Sequence, residues 1–139
     1  MRGQRILLGA CAFLCLSIQM AEAYEPPETY IQGLVTSWIK RPEHRTALGF
    51  ALSAAFVEWP EIFLRTLDQS PSVFSEWHHS ICESTYQWMD ASEPGRGPQT
   101  LEMVVGTAKN WQSEEYGALL VAIIHSAKRC DAKGEIVSH

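Results

Sequence analysis

Apolar residues recur at spacings of three and four along most of the chain, and no stretch alternates apolar with polar residues as a half-buried strand does. This pattern predicts an all-α fold with about five to six helices, either a small helical bundle or a stack of helical hairpins. Residues 46–67 and 100–120 resemble each other weakly, mainly in small and apolar residues. Because a solenoid needs about three copies of its repeat, this similarity leaves both arrangements open.

Prolines mark the first predicted helix boundaries. Pro42 ends the first helix, since proline lacks a backbone N–H and clashes with the preceding turn. Residues 43–59 are apolar almost all round a helix, which is typical of a helix central to the core. Pro60 then breaks this segment, and Glu61 follows as an acid in the first turn of the next helix.

Capping residues and loop composition predict the helix boundaries after residue 69. Ser70 before Pro71 is typical of a helix start, with the serine hydroxyl accepting from a free backbone N–H. The helix that begins there is predicted to continue to about Asp90. Residues 91–98 have loop composition throughout. A short helix follows, and Ser113 with two glutamates is expected to open the last one.

The first 23 residues have the layout of a secretory signal peptide, with two arginines, an apolar run over residues 6–18 and a small-residue cleavage site at Ala21-Glu22-Ala23. The apolar run is shorter than the roughly 20 residues that span a bilayer. We therefore expect cleavage before Tyr24, a single domain over residues 24–139 with a frayed tail from about 131, and a periplasmic or secreted location. A lipobox-like sequence ending at Cys11 offers lipoprotein processing as a minor alternative.

The net charge of the chain indicates which classes of partner to expect. Removal of residues 1–23 takes Arg2, Arg5 and Glu22 from the chain and leaves 9 basic and 15 acidic residues, a net charge of −6. An acidic chain without a basic cluster lacks the footprint that nucleic acid requires. No stable membrane span is expected after cleavage. We therefore expect another protein as partner, and the acidic charge favours a basic one.

Two cysteines remain after cleavage, Cys82 and Cys130. An even pair in an oxidising compartment predicts one disulfide. The alternative is a metal site, because helical spacing brings His78 and His79 near Cys82 and Cys130 could contribute a further ligand. Adjacent histidines point about 100° apart on a helix, which disfavours this alternative.

No catalytic constellation or cofactor motif stands out, so we expect a protein without enzymatic activity and without a cofactor. A Cys82–His78 nucleophile pair lacks an orienting third residue. The neighbouring carboxylates Glu58 and Glu61 are interpreted as acids at a helix start rather than as a hydrolytic pair.

Five tryptophans are the most unusual compositional feature. Trp38 and Trp77 lie on apolar stripes and are expected in the core. Others lie near predicted helix ends or loops, where an amphipathic ring often anchors an interface. The candidate interaction residues surround the loop that carries Gly95 and are Trp88, Glu93, Arg96 and Trp111.

These features together predict an exported, non-enzymatic helical protein that acts by protein–protein interaction. In architecture, though in no motif, such a chain is similar to small periplasmic immunity or inhibitor proteins that neutralise secreted toxins. Two alternatives remain at this level. One is a metal-binding or small-ligand carrier that uses His78, His79 and Cys82, and the other is a structural component of the envelope.

Overall fold

The computed structural model describes residues 26–130, which form seven α-helices and contain no strand. In chain order these are α1 (Pro27–Lys40), α2 (Arg45–Glu58), α3 (Pro60–Asp68), α4 (Pro71–His79), α5 (Trp88–Ser92), α6 (Arg96–Asn110) and α7 (Gly117–Lys128). A 3-10 turn (Pro42–His44) joins α1 to α2, and a π-helical turn (Cys82–Gln87) leads into α5. The predicted all-α class is confirmed, with more helices than expected.

The expected signal peptide at residues 1–23, the alternative lipidation at Cys11 and the tail from residue 131 lie outside the described residues. Within residues 26–130, none of the helices combines the length and the apolar character needed to span a membrane.

The predicted proline boundaries agree with the structure. α1 ends at Lys40 before Pro42, α3 begins at Pro60 and α4 begins at Pro71. The capping role expected for Ser70 is wrong in its detail, because its hydroxyl makes no capping hydrogen bond and its backbone carbonyl accepts from Phe74 instead, at 3.0 Å. The fixed backbone angle of proline therefore starts α4 without help from the serine side chain.

The single helix expected from residue 71 to Asp90 is interrupted. α4 ends at His79, and a π-helical turn follows in which one helical turn is wider than usual. Of residues 81–86, only Glu83 is exposed, while the other five are buried. The π-helical turn is therefore enclosed on most sides, and it contacts α2, α5 and α6.

The loop predicted over residues 91–98 is much shorter. α5 continues to Ser92 and α6 begins at Arg96, so three residues make the connection. Gly95 supplies the sharp change of direction, and Pro98 lies in the first turn of α6, where a missing N–H costs no hydrogen bond. The last helix also begins later than expected, at Gly117, although the Ser113 hydroxyl accepts from the Tyr116 N–H at 3.1 Å.

Helix α2 is the central element of the fold. It contacts α1, α3, α5, α6 and the π-helical turn, so helices from both halves of the chain surround it, as in a bundle. Helix α7 packs on α6 and α4. Aromatic rings pack together within the core, with Phe63 and Trp77 at 4.9 Å between centroids and Phe56 and Phe63 at 5.2 Å. Trp38 and Trp77 are buried, as predicted.

A small polar cluster lies inside this core. Trp77 Nε1 donates to the Gly49 carbonyl at 3.1 Å and lies 3.3 Å from the Ser53 hydroxyl, which lies 2.5 Å from the Thr85 hydroxyl. These bonds join α2 to α4 and to the π-helical turn. Because the donors and acceptors are paired, the cluster fixes the orientation of α2 without leaving a buried polar atom unsatisfied.

Candidate functional site

The turn between α5 and α6 holds two of the predicted interaction residues together. Gly95 has a φ of +90°, a left-handed conformation that glycine adopts without strain, and its N–H donates to the Asp90 carboxylate at 2.7 Å. On either side of it, Glu93 and Arg96 form a hydrogen-bonded ion pair. The turn therefore fixes the positions of both charged groups at the start of α6.

A groove of about 780 Å³ opens beside this turn. Its lining comprises one stripe of α2 (Phe50, Ala54, Val57, Glu58), one stripe of α6 (Gln99, Thr100, Met103) and residues 93–96 of the turn. Met103 on the α6 wall is 51% exposed. The groove thus presents apolar surface to solvent between two rigid helices.

Trp88 lies beside the groove. Its side chain is 38% exposed, and its ring contacts that of Phe50 with 5.9 Å between centroids. Since Phe50 lines the groove, Trp88 extends the apolar surface beyond the lining itself. The structure thus brings three of the four predicted interaction residues, Trp88, Glu93 and Arg96, around one feature.

Trp111 does not join them. It follows the C-terminal end of α6, whereas the groove lies near the N-terminal end of that helix. The rise of about 1.5 Å per residue puts it roughly 22 Å along the axis from Arg96. Its side chain is half-buried and packs against the core. The structure therefore places Trp111 away from the groove, because a position near a helix end does not determine which side of the molecule a residue occupies, and a role of Trp111 in binding stays a prediction.

Glu58 gives the groove an acidic group in an unusual position. It is the last residue of α2, where the helix macrodipole is negative, and the last turn of α2 contains no basic residue. Its side chain is exposed, and it forms no ion pair within residues 26–130. The interpretation of Glu58 as an acid at a helix start was wrong, while Glu61 does occupy the first turn of α3.

Of the eleven lining residues, only Glu93 and Arg96 were predicted as interaction residues, and Phe50, Glu58 and Met103 are among those that sequence reasoning missed. The spacing of 50, 54, 57 and 58 on α2, and of 96, 99, 100 and 103 on α6, places each set on one helical face. That spacing was available from the sequence. Which of these faces the other helices of residues 26–130 leave uncovered was not, because it depends on tertiary packing.

The predicted disulfide between Cys82 and Cys130 is present, with 5.5 Å between the Cα atoms. It joins the π-helical turn to the end of α7. A sulfur atom in a disulfide is neither a thiolate ligand nor a nucleophile. While the bridge is intact, Cys82 therefore takes neither of the alternative roles considered for it.

His78 and His79 each have a hydrogen-bond partner of their own. His79 Nδ1 donates to the Ser75 carbonyl at 2.7 Å, and His78 Nδ1 lies 2.6 Å from the Ser126 hydroxyl. Burial, with smaller contributions from the neighbouring His79 and His125, lowers the pKa of His78 to about 4. Within residues 26–130, no group of three or more His, Cys, Asp or Glu side chains is arranged to hold a metal ion.

A second polar cluster links α1, α2 and α4. Trp38 Nε1 donates to the Glu76 carboxylate at 2.7 Å, and Arg45 lies 3.6 Å from the same carboxylate and 5.3 Å from the centre of the Trp38 ring. Arg45 Nε also donates to the Trp38 carbonyl at 3.2 Å. Because these groups satisfy one another, the cluster is explained by packing of the three helices.

Comparison of the chain with protein-family models, with curated proteins and with solved structures found no match.

Proposed function

We propose that this chain is an exported binding protein without catalytic activity, of the inhibitor or immunity type, which binds another protein through the groove between α2 and α6. The observation that carries the proposal is the groove itself, with a half-exposed Met103 on one wall and the exposed Trp88 beside it. Exposed methionine and tryptophan side chains are enriched at protein interfaces.

The arrangement of charges supports a protein partner. The groove is lined by apolar side chains of both helices together with the charged Glu58, Glu93 and Arg96. Protein interfaces combine apolar and charged groups in this way. The Glu93–Arg96 ion pair links the two sides of the turn, so both charged groups are held at this end of the groove.

Two features support export. The apolar run and cleavage site in residues 1–23 have the layout of a signal peptide. The chain also has a disulfide, Cys82–Cys130, and disulfides persist in oxidising compartments such as the periplasm or the extracellular space.

The test compares two variants that add the same charge at different places. Met103→Glu puts a carboxylate in the groove, and Val121→Glu puts one on α7, where Val121 is 66% exposed and does not line the groove. The purified exported protein is immobilised in the wild-type form and as each variant. It is then exposed to culture supernatant and envelope extract of the source cells.

We expect one protein to be retained by the wild type and by Val121→Glu. The retained amount should fall at least about tenfold with Met103→Glu, as for loss of an interface anchor. Unchanged thermal melting of Met103→Glu shows that the fold is intact. Equal retention by all three forms, or no retained protein, would contradict the proposal.

A further inference from the structure

The shape of the groove limits what can occupy it. Its walls are two helical faces, from Phe50 to Glu58 on α2 and from Arg96 to Met103 on α6. At about 1.5 Å per residue these faces are roughly 12 Å and 10 Å long. Two turns of a further helix fit this length.

The backbone N–H and C=O groups of the occupant also need hydrogen-bond partners. An extended segment in the groove would need water, side chains or a sheet edge to satisfy its N–H and C=O groups. No strand lies within the described part of the chain, residues 26–130, so no such edge is present there. A helix satisfies its backbone internally and packs its side chains between those of the two wall helices.

Charge determines which kind of helix is favoured. Glu58 is exposed at the negative end of α2 and has no ion-pair partner in the described residues, while Glu93 and Arg96 offset each other. The groove therefore has a net negative charge, as does the chain over residues 24–139, at −6. A lysine or arginine on the occupant would complement Glu58 and the α2 macrodipole together.

We infer that the occupant of this groove is a cationic amphipathic helix of the partner protein. The inference rests on the proposed function and specifies the partner's chemistry. About two turns of the helix direct apolar side chains between Phe50 and Met103, and a basic side chain lies beside Glu58.

The probe is a synthetic 14-residue helix of leucine and lysine, with leucines at positions i, i+3, i+4 and i+7 of each repeat. A second peptide has glutamate in place of every lysine, and a third contains the leucines and lysines in scrambled order. Binding of each to the full exported protein is measured by calorimetry at two salt concentrations.

Three variants separate groove binding from general attraction between a cationic peptide and an acidic protein. Met103→Glu adds a negative charge, so it tightens a purely electrostatic association but weakens binding in the groove, where we expect a loss of about tenfold. Val121→Glu adds the same charge elsewhere and is expected to bind as the wild type does or slightly more tightly. Glu58→Gln is expected to weaken binding about two- to fivefold, as for loss of one exposed ion pair.

Equal binding of the acidic or scrambled peptide overturns the inference, as does unchanged or tighter binding by Met103→Glu. Self-association of the protein that Met103→Glu abolishes also overturns it, because a second copy would then be the occupant. If the helical peptide does not bind while a natural partner is retained in a Met103-dependent way, the inference fails and the proposed function stands. If that partner is absent too, both fail.

Discussion

Two glycines of α6 differ in what a side chain at each would meet. A Cβ atom added to Gly97 would lie 2.2 Å from the backbone carbonyl oxygen of Tyr86 and 2.9 Å from the Asp90 Cβ, whereas one added to Gly106 meets nothing within 4 Å. Gly97 therefore permits the close approach of α6 to the π-helical turn and α5. Gly106 has no such role in the packing.

We expect Gly97→Ala to lower the free energy of unfolding by about 1–3 kcal/mol, because the added carbon clashes with backbone that cannot move alone. Gly106→Ala is expected to raise it by about 0.5–1 kcal/mol, since alanine is the better helix former. Urea denaturation of both variants measures the difference. A stabilising effect of Gly97→Ala would show that α6 does not pack as described.

His78 makes stability depend on pH. Burial, together with His79 and His125, lowers its pKa to about 4 in the folded protein, against about 6.5 in an unfolded chain. Between these two values the unfolded state binds more protons, so stability falls as the pH is lowered from about 6.5 towards 4. The packing of α4 on α7 through the contact with Ser126 is therefore strongest above this range.

The measurement is the free energy of unfolding of the wild type and of His78→Asn between pH 7.5 and 4. We expect the wild type to lose on the order of 1–2 kcal/mol more than the variant across this range, after allowance for solvent screening at a half-buried site. Asparagine places a polar atom near the position of Nδ1 but does not titrate. His44→Asn, at an exposed position, serves as the control, and parallel pH profiles for wild type and His78→Asn would contradict the prediction.

At the scale of elements, the disulfide fixes α7 to the rest of the fold. Cys82 and Cys130 are 48 residues apart, and the bridge joins the turn before α5 to the end of the last described helix. Closing a loop of this length reduces the entropy of the unfolded chain.

Replacing both cysteines by serine is expected to lower the free energy of unfolding by roughly 3–4 kcal/mol in the loop-entropy estimate. Within residues 26–130, α7 packs mainly on α6 and α4. Hydrogen exchange should therefore accelerate most in α7 and least in α1. Similar denaturation midpoints for the serine variant and the oxidised wild type would show that the bridge does not stabilise the fold.

The sequence predicted those element boundaries that one residue determines locally. Pro42, Pro60 and Pro71 mark helix ends or starts correctly, because the restriction proline imposes on the backbone does not depend on tertiary contacts. The π-helical turn at Cys82–Gln87 was missed, since it results from packing of Ser84 and Thr85 against α2. Residues 91–98 were predicted as loop from their composition, but only residues 93–95 make the connection, because Gly95 adopts the left-handed conformation that allows a sharp turn.

The candidate site was predictable to a similar extent. Loop composition around Gly95 directed attention to Trp88, Glu93 and Arg96, which the structure places around one groove. Phe50 was assigned to the core, because an all-apolar helix such as α2 gives no indication of which of its faces remains uncovered. Trp111 was assigned to the site for a reason that applies equally to a residue packed against the core.

At the scale of the whole molecule, export is the proposal on which compartment and redox state depend. We expect the intact mass of the protein recovered from the envelope or the medium to begin at Tyr24, with both cysteines unavailable to alkylation until a reductant is added. A mass that retains residues 1–23, or a lipid adduct on Cys11, would contradict this form of processing. Free thiols without reductant would contradict the disulfide.

The central claim is that the groove between α2 and α6 is the binding surface. The most direct measurement is photocrosslinking in cells, with benzoylphenylalanine in place of Met103 in one form of the protein and in place of Val121 in another. We predict one discrete crosslinked partner from position 103, mapped to a basic helical segment, and none from position 121. The same crosslinks from both positions, or a crosslinked partner from position 121 alone, would contradict the claim.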